Sequence, residues 1–217
     1  MKYGVIGASG KLGSEVINLF NENDHQLVFA YDLDGEWKND SPDILIDCSL
    51  PEVFKTSLEY ACNFKIPLVI ATTGLTDENI EALKDYSKKY PVVQSYNFSI
   101  GIQVLLQLTE VAKTKLTDWD VEILEAHHRF KKDKPSGTAK MIQKLFSGKK
   151  TNTSSLRLGN VPGDHFVSFG SLGEVLTISH RALSRKAFAD GILLSAMFLR
   201  TKKKGFYTFR NVVFGKK

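Results

Sequence analysis

The sequence predicts an α/β fold: a doubly wound parallel sheet joined to a smaller α+β domain with an open mixed sheet. In the first hundred residues, short β-branched runs alternate with amphipathic helical stretches, the pattern of parallel sheets with crossover helices. Beyond Ser99 the strand-like runs follow one another with few helices between them, which favours a mixed or antiparallel sheet. We therefore expect one domain at 1–98 plus 186–217 and a second at 99–185.

The elements of the first domain follow from its hydrophobic periodicity. Runs rich in Val, Ile and Leu predict strands, and apolar residues spaced three and four apart predict helices. The predicted strands are 3–7, 27–31, 44–47, 68–71 and 92–94. The predicted helices are 11–21, 52–63, 77–89 and, near the end of the chain, 186–200. That last helix is apolar over most of its length, so we expect it to pack on the first domain.

The second domain is expected to begin with a long apolar helix and to continue as a sheet. The helical pattern covers 100–115, and a second, shorter helix is predicted at 138–147. The predicted strands are 119–127, 156–158, 165–170 and 174–180. Since most of these strands follow one another without a crossover helix, they predict the open mixed sheet.

Composition places the chain among globular proteins. Of its 217 residues, 42% are hydrophobic and 24% are charged, and no apolar run approaches the roughly 20 residues that cross a bilayer. We expect neither a membrane anchor nor a signal peptide. The two cysteines, Cys48 and Cys62, fall at a strand end and in a helix, which predicts free thiols and a cytoplasmic setting.

The net charge of +5 is moderate and is concentrated in a few lysine runs. These are Lys149–Lys150, Lys202–Lys204 and Lys216–Lys217, which we interpret as solvated loops and a tail. Nucleic-acid binding needs a denser basic face, so we expect no nucleic-acid partner.

A glycine-rich loop follows the first predicted strand and opens the first helix. Backbone N–H groups at such a helix start bind the pyrophosphate of a dinucleotide. The spacing is G-x-x-G-x-x-G, which is also typical of a simple glycine turn. The candidate cofactor contacts in this loop are Gly7, Ala8, Ser9, Gly10, Lys11 and Leu12.

Asp32 ends the second predicted strand, about 20 residues downstream of the loop, where an acid hydrogen-bonds the adenosine ribose. Strand, loop, helix, strand and acid together favour a dinucleotide site. The negative charge of Asp32 favours NADH, whereas Lys11 could neutralise the 2′-phosphate of NADPH, so both cofactors stay open.

The segment 125–139 carries the chemistry that the first domain lacks, with the sequence E-A-H-H-R-F-K-K-D-K-P-S-G-T-A. His127 and Lys131 can transfer protons near neutral pH, and the helix start at Gly137–Thr138 can bind a carboxylate. The alternative is a charged surface loop. Adjacent histidines on a strand point to opposite faces, and neither cysteine has metal-ligand spacing, so we expect no metal.

At these residues the sequence resembles the dihydrodipicolinate reductase family, whose motif E-A-H-H-R-x-K-x-D-x-P-S-G-T-A is matched at 125–139. Further matches run along nearly the whole chain. They are G-A-S-G-K-L-G at 7–13, D-C-S-L-P-E at 47–52, A-T-T-G at 71–74, N-F-S-I-G at 97–101, V-P-G-D-H at 161–165 and I-S-H-R-A-L-S-R at 178–185.

The resemblance implies a Rossmann-like dinucleotide-binding domain and a substrate-binding and oligomerisation domain, usually in a homotetramer. It implies the reduction of 4-hydroxy-tetrahydrodipicolinate, a small dicarboxylate, with a hydride from NADH or NADPH in lysine and diaminopimelate biosynthesis. It also implies that His127 takes part in proton transfer, that Lys131 donates the proton, and that His128 and the Gly137–Thr138 backbone bind the substrate. The residues it places beside the nicotinamide are Ala71, Thr72, Thr73, Ser95, Tyr96, Asn97 and Phe98.

Two other functions stay open beside this one. An amino-acid dehydrogenase could use the same scaffold, although the P-S-G-T turn argues against it, and a non-catalytic nucleotide-binding protein would leave His127 and Lys131 without a role. The segment between Asp32 and Asp43 is shorter than is usual in the family, which predicts a missing element after the second strand. Leu33 and Leu50 replace residues that are often basic in the family.

Overall fold

The computed structural model describes residues 1–32, 34–148 and 151–215. The expectations for Leu33, Lys149–Lys150 and Lys216–Lys217 therefore lie outside the described residues. The chain divides into two compact units. The first comprises Met1–Ser99 and Arg185–Lys217, and the second comprises Ile100–Ser184.

The described residues form eleven strands and seven α-helices. The strands are β1 (Lys2–Ile6), β2 (Gln26–Asp32), β3 (Gly35–Lys38), β4 (Ile44–Asp47), β5 (Leu68–Ile70), β6 (Pro91–Gln94), β7 (Asp120–His127), β8 (Asn152–Arg157), β9 (Asp164–Gly170), β10 (Val175–Arg181) and β11 (Gly205–Thr208). The helices are α1 (Lys11–Glu22), α2 (Phe54–Phe64), α3 (Asp77–Ser87), α4 (Ile100–Lys115), α5 (Gly137–Leu145), α6 (Lys186–Leu199) and α7 (Phe209–Phe214). A short 3₁₀ helix (Pro51–Val53) precedes α2.

The sheet of the first unit has the strand order β11-β6-β5-β4-β1-β2-β3. All its neighbouring strands are parallel except β2 and β3, which form an antiparallel pair. The predicted parallel, doubly wound sheet is therefore confirmed. The chain moves outward from β1 in both directions, so the strand order reverses between β1 and β4. In such sheets ligands bind outside the carboxyl ends of the strands at this point.

Two apolar clusters cover the two faces of this sheet, because alternate residues of a strand point to opposite faces. Ile44 and Ile46 of β4 belong to the cluster that contains α1 and α6, whereas Leu45 belongs to the cluster of α2 and α3. All three side chains are almost fully buried. Helix α6 packs against α1, and Gly191 makes the approach of α6 to the segment before α4 possible: a Cβ there would lie 1.8 Å from the backbone oxygen of Phe98.

The second unit contains a four-stranded sheet of order β10-β9-β7-β8 in the part of the chain that the structure describes. The pairs β10–β9 and β9–β7 are antiparallel, and β7–β8 is parallel, so the predicted mixed sheet is confirmed. Helices α4 and α5 contribute to one apolar core with Ile123, Val167 and Phe169 from the strands. The strand β10 forms one edge of the sheet, and Val175 and Leu176 on it are exposed.

Several elements differ from the sequence expectations. The short segment after Asp32 is not without structure, because β3 folds back on β2 as an antiparallel strand. Strand β8 begins at Asn152 rather than at 156, and β11 and α7 are absent from the sequence expectations. Strands β3 and β8 are mostly polar, and β11 and α7 are only four and six residues long, so the hydrophobic pattern of each is weak. No helix among the described residues has the length and apolar character needed to cross a membrane.

Candidate active site

The glycine-rich loop lies at the carboxyl end of β1 and leads directly into α1. Gly7 has φ +79°, which favours glycine, and its N–H donates to the Tyr31 oxygen at 2.8 Å. A Cβ on Gly13 would lie 2.0 Å from the oxygen of Gly7, so only glycine allows the helix to start this close to the strand. Gly10 is the N-cap and has no side chain to cap the helix. The first N–H groups of α1 are therefore available to an anion.

A pocket of about 280 Å³ opens beside this loop. Its walls come from the loop, from the end of β2 and from the segment that follows β4. The lining residues are Gly7, Ser9, Gly10, Tyr31, Asp32, Cys48, Ser49, Leu50 and Val53. The pocket lies at the carboxyl ends of β1, β2 and β4, where the strand order reverses, so it occupies the position of a nucleotide site.

Asp32 lies in this pocket at the end of β2, and its Oδ2 accepts a hydrogen bond from the N–H of Ser9 at 2.9 Å. The acid is thus tied to the glycine-rich loop. Ala8 and Leu12 are half-buried beside the loop, whereas Lys11 is exposed at the start of α1. The loop residues and Asp32 are brought together as the sequence predicts.

The predicted nicotinamide segment Ala71–Thr73 follows β5 and is connected to the neighbouring strand through Asp47. Asp47 is fully buried, and its Oδ1 accepts from the Thr72 hydroxyl at 2.7 Å and from the Ser49 N–H at 2.9 Å. The Ala71 N–H donates to the Asp47 backbone oxygen at 2.8 Å. Thr73 is exposed, and Thr72 is buried. Asp47 therefore holds this segment beside the pocket that Ser49 lines.

The second predicted nicotinamide segment, Ser95–Phe98, forms a turn held by its own side chains. The Ser95 hydroxyl donates to the Asn97 oxygen at 2.8 Å, and the Ser99 N–H donates to the Asn97 Oδ1 at 2.7 Å. Tyr96 and Asn97 are half-buried. The Phe98 ring is buried in the core against Phe209, with ring centroids 5.1 Å apart. A cofactor contact of Phe98 is therefore limited to its backbone.

The segment 125–139 lies in the second unit, where β7 ends, a loop follows and α5 begins. Ser136 is the N-cap of α5, and its hydroxyl accepts from the Ala139 N–H at 3.2 Å. Gly137 and Thr138 form the first turn, as the sequence predicts, and Thr138 is buried. His127 is the last residue of β7, and His128 and Lys131 are half-buried in the turn that follows it.

Glu125 and His127 lie on the same face of β7, and Arg157 is the neighbour of His127 on β8. The His127 Nδ1 and the Glu125 Oε2 form a short hydrogen bond. Arg157 donates to both oxygens of Glu125, with each N–O distance 2.8 Å. The Glu125 side chain is fully buried, and those of Arg157 and His127 are nearly so. The three groups form one buried charged cluster.

Burial and neighbouring charges set the protonation states of this cluster. Burial raises the pKa of Glu125, but hydrogen bonds from Arg157, Ser155 and His127 outweigh it and lower that pKa to about 2. Burial lowers the pKa of His127, and the attraction of Glu125 offsets this only in part. At neutral pH we therefore expect an ionised Glu125 and a neutral His127 whose Nδ1–H donates to the carboxylate.

Lys131 lies in the turn that follows β7 and pairs with Asp133. Its Nζ lies 2.8 Å from the Asp133 Oδ1, and its N–H donates to the His128 oxygen at 3.1 Å. The Lys131 side chain is 24% exposed, so it is partly accessible from solvent. The charge of Lys131 also lowers the pKa of His127, so the two groups are electrostatically coupled.

Three residues of this site are absent from the sequence predictions. Glu125 and Arg157 are described above, and His165 on β9 lies edge-on to His127, with ring centroids 5.2 Å apart. Glu125 could be found from the sequence, because residues two apart on a strand share a face. Arg157 has no such signal, since it lies thirty residues away on β8. Among the described residues no group of three or more potential ligands is placed to hold a metal ion.

Comparisons with known proteins match the whole length of the chain. The family model described as dihydrodipicolinate reductase, N-terminus, matches residues 1–98, and that described as dihydrodipicolinate reductase, C-terminus, matches residues 101–213. The 4-hydroxy-tetrahydrodipicolinate reductase of Thermosipho africanus is 45% identical and covers 98% of each chain. The protein of the same name from Zymomonas mobilis is 35% identical and covers 98% of this chain and 97% of its own.

Solved structures share the fold. A dipicolinate-bound dihydrodipicolinate reductase from Paenisporosarcina sp. TG-14 superimposes with a TM-score of 0.78 at 22% identity and covers 97% of this chain and 98% of its own. An aspartate dehydrogenase from Thermotoga maritima reaches a TM-score of 0.53 at 17% identity and covers 93% of this chain and 97% of its own. At these identities the structural matches describe the architecture alone.

Proposed function

This chain belongs to the dihydrodipicolinate reductase family, and from that premise we infer that it reduces 4-hydroxy-tetrahydrodipicolinate with NADH or NADPH. The observation that carries this function is the match of both family models, which together cover residues 1–98 and 101–213. The reaction belongs to lysine and diaminopimelate biosynthesis. It consumes the substrate, the reduced cofactor and a proton, and it releases tetrahydrodipicolinate, the oxidised cofactor and water.

The residues of the first unit fit a bound dinucleotide. The start of α1, which no side chain caps, binds the pyrophosphate through Ser9, Gly10 and Lys11, and the Asp32 carboxylate binds the adenosine ribose. Ala71–Thr73 and Ser95–Phe98 flank the nicotinamide, and Asp47 keeps the first of these segments in place through Thr72. The reduced nicotinamide supplies the hydride.

The second unit supplies the groups that bind a small dicarboxylate. The first turn of α5 offers the N–H groups of Gly137 and Thr138 to one carboxylate, and its positive helix end adds to the attraction. His128 and the ammonium of Lys131 stand on the preceding turn and bind the same class of group. The solved relative from Paenisporosarcina holds dipicolinate, a planar dicarboxylate, which supports this assignment.

Proton transfer is assigned to Lys131 and His127. Loss of the hydroxyl as water leaves a conjugated ring, hydride addition turns it into an aza-enolate anion, and one proton on carbon gives the imine and completes the reduction. Lys131 carries a transferable proton on a partly exposed side chain, so it donates that proton. His127 is neutral, and its Nδ1–H is bonded to Glu125. Its Nε2 is therefore the nitrogen that accepts a proton during the transfer.

The active form is proposed to be a homotetramer in the cytoplasm. The edge strand β10 of the second unit exposes Val175 and Leu176, and Leu172 is exposed in the turn that precedes it. Apolar residues clustered on an edge strand are typical of a subunit interface. Sedimentation equilibrium tests this, with four times 24.3 kDa expected. A monomer would contradict the proposal.

Two free thiols, Cys48 and Cys62, suit a reducing compartment.

A spectrophotometric assay tests the function directly. We expect the absorbance of NADH or NADPH to fall when freshly prepared 4-hydroxy-tetrahydrodipicolinate is added to the purified protein, and to stay constant without it. Amino acids with the oxidised cofactor serve as the control for an amino-acid dehydrogenase. Turnover with an amino acid, or no turnover with the dicarboxylate and either cofactor, would contradict the proposed function.

A further inference from the structure

We propose that the buried Glu125–Arg157 pair is the positioning unit of the active site: one ion pair holds His127, the Lys131 loop and the start of α5 in a fixed arrangement. The inference rests on the proposed roles of His127 and Lys131 in proton transfer. Neither Glu125 nor Arg157 is proposed to touch the substrate.

Glu125 acts on two parts of the site. Its Oε2 forms the short hydrogen bond with the His127 Nδ1, and its Oε1 accepts from the N–H of Ser136 at 3.3 Å. Ser136 caps α5, so the same carboxylate connects the imidazole to the helix start that is proposed to bind the substrate. A carboxylate accepts only, so it requires a proton on Nδ1 and leaves Nε2 as the other reactive atom.

Arg157 connects the remaining part. Besides its two bonds to Glu125, its Nε donates to the Lys131 backbone oxygen at 3.2 Å, and its Nη2 donates to the Asp133 backbone oxygen. These carbonyls belong to the turn that carries the Lys131 ammonium. Only the planar, forked guanidinium can bind a carboxylate with two hydrogen bonds and two carbonyls at the same time. Lysine at this position would lose most of these contacts.

The burial of the pair supports a positioning role rather than a role in stability alone. Both oxygens of Glu125 and the guanidinium are withdrawn from water. Apolar residues of similar volume often stabilise a fold as well as a buried ion pair does, so stability alone does not explain this pair, whose hydrogen bonds orient its neighbours. Here those neighbours are the groups to which the chemistry is assigned.

Gly163 packs against the second nitrogen of His127, whose side chain is 10% exposed. A Cβ on Gly163 would lie 3.1 Å from Nε2, so a glycine there leaves this nitrogen more room than any other residue would. The charged and titratable groups that face the ring are Glu125 on its own strand, Arg157 on β8, His165 on β9 and Lys131 in the turn. Of these only Glu125 is negative, so it alone favours a proton on His127.

The tautomer of His127 can be measured in the unaltered protein. Long-range ¹H–¹⁵N spectra of histidine-labelled protein, with the His127→Gln variant for assignment, report which ring nitrogen carries the proton. We expect Nδ1 to be protonated and Nε2 to be free at neutral pH. A protonated Nε2 with a free Nδ1 would overturn the proposal, and this result does not depend on turnover.

Glu125→Gln is the matching substitution, with Glu122→Gln on the same strand as the control because Glu122 is exposed. We expect kcat for Glu125→Gln to fall about 10- to 100-fold, because the groups assigned to general acid–base catalysis lose their fixed orientation. The acid limb of the kcat/KM profile should move to lower pH, because the loss of the anion lowers the pKa of His127. The control should show neither effect.

A double substitution separates positioning from general damage. In the His127→Ala background, Glu125→Gln should cause a smaller further loss than in the unaltered protein, because the part of its effect that acts through His127 is already removed. A further loss as large as in the unaltered protein would overturn the proposal. If His127→Ala itself retains full turnover, the assigned role of His127 fails instead, while the tautomer measurement still tests the contact.

Arg157→Lys tests the other half of the pair and covers the case in which Glu125→Gln fails to fold. Arg181→Lys is the control, because Arg181 pairs with Asp164 on the same sheet but is 67% exposed. We expect Arg157→Lys to lower kcat at least tenfold with an unchanged affinity for the cofactor, and Arg181→Lys to retain turnover. Equal turnover in both variants would overturn the role of Arg157.

Discussion

His165 makes the stability of this protein sensitive to acid. The ring is almost fully buried between His127 and His180, with ring centroids 5.2 and 6.5 Å away. Burial, and after it the charges of these two histidines, lower the pKa of His165 to about 3. In the unfolded chain the pKa of a histidine is about 6.5. Between these two values the unfolded state binds a proton that the folded state does not bind.

The sign and size of the effect follow from proton linkage. The pKa of His165 is lower in the folded state than in the unfolded state. The contribution of neutral His165 to the free energy of unfolding is therefore fully present above pH 6.5 and is lost as the pH falls toward 3. At pH 5 the pH lies about 1.5 units below the pKa of the unfolded histidine. Protonation therefore stabilises the unfolded state relative to the folded state by about 2 kcal/mol. Any folded pKa below about 4 gives the same loss between pH 7 and pH 5.

Urea unfolding at fixed protein concentration measures this. We expect the unfolding free energy of the unaltered protein to fall between pH 7 and pH 5 by about 2 kcal/mol more than that of His165→Gln. Between pH 7 and pH 9 the difference between the two proteins should stay constant, which controls for the general cost of the substitution. Equal pH dependence below pH 7 would refute a neutral, buried His165.

Three further outcomes are expected. Asp32→Asn removes the charge that opposes a 2′-phosphate, so the ratio of the NADPH to the NADH dissociation constant should fall about tenfold, or about 1.4 kcal/mol, in fluorescence titrations. Gly163→Ala places a methyl 3.1 Å from the Nε2 of His127 at φ +156°, and should lower the unfolding free energy by roughly 1–3 kcal/mol in urea. Gly191→Ala forces α6 away from the Phe98 oxygen. Thermal melts should show that the unfolding free energy falls by roughly 1–3 kcal/mol or more. An unchanged ratio or unchanged stability would contradict the respective assignment.

The elements with a strong local pattern could be predicted from the sequence. The runs at 44–46 and 68–70 are apolar throughout because both faces of β4 and β5 are covered by helices. The turn before α5 was predictable because Ser136 and Gly137 have the chemistry of a helix start. In these cases the information is local, so a single sequence contains it.

The elements that escaped prediction depend on distant partners. Strand β11 is four residues long and follows three lysines, and it becomes a strand because β6 offers it an edge. The pairing of Arg157 with Glu125 likewise requires β8 to lie parallel to β7 in one register. Such pairings are set by tertiary packing, which overrides local propensity and leaves no spacing in the sequence.

The turnover of Lys131→Ala tests the assignment of the chemistry to the segment 125–139 most directly, with Lys132→Ala as the matched control. Lys132 is the next residue and is exposed, whereas Lys131 is half-buried beside Asp133. We predict that kcat of Lys131→Ala falls by on the order of 10²–10⁴, the usual contribution of a positioned general acid, with an unchanged cofactor affinity in the absence of substrate. Lys132→Ala should keep its turnover. Near-normal kcat in Lys131→Ala would show that this lysine is only a surface charge and would contradict the catalytic assignment.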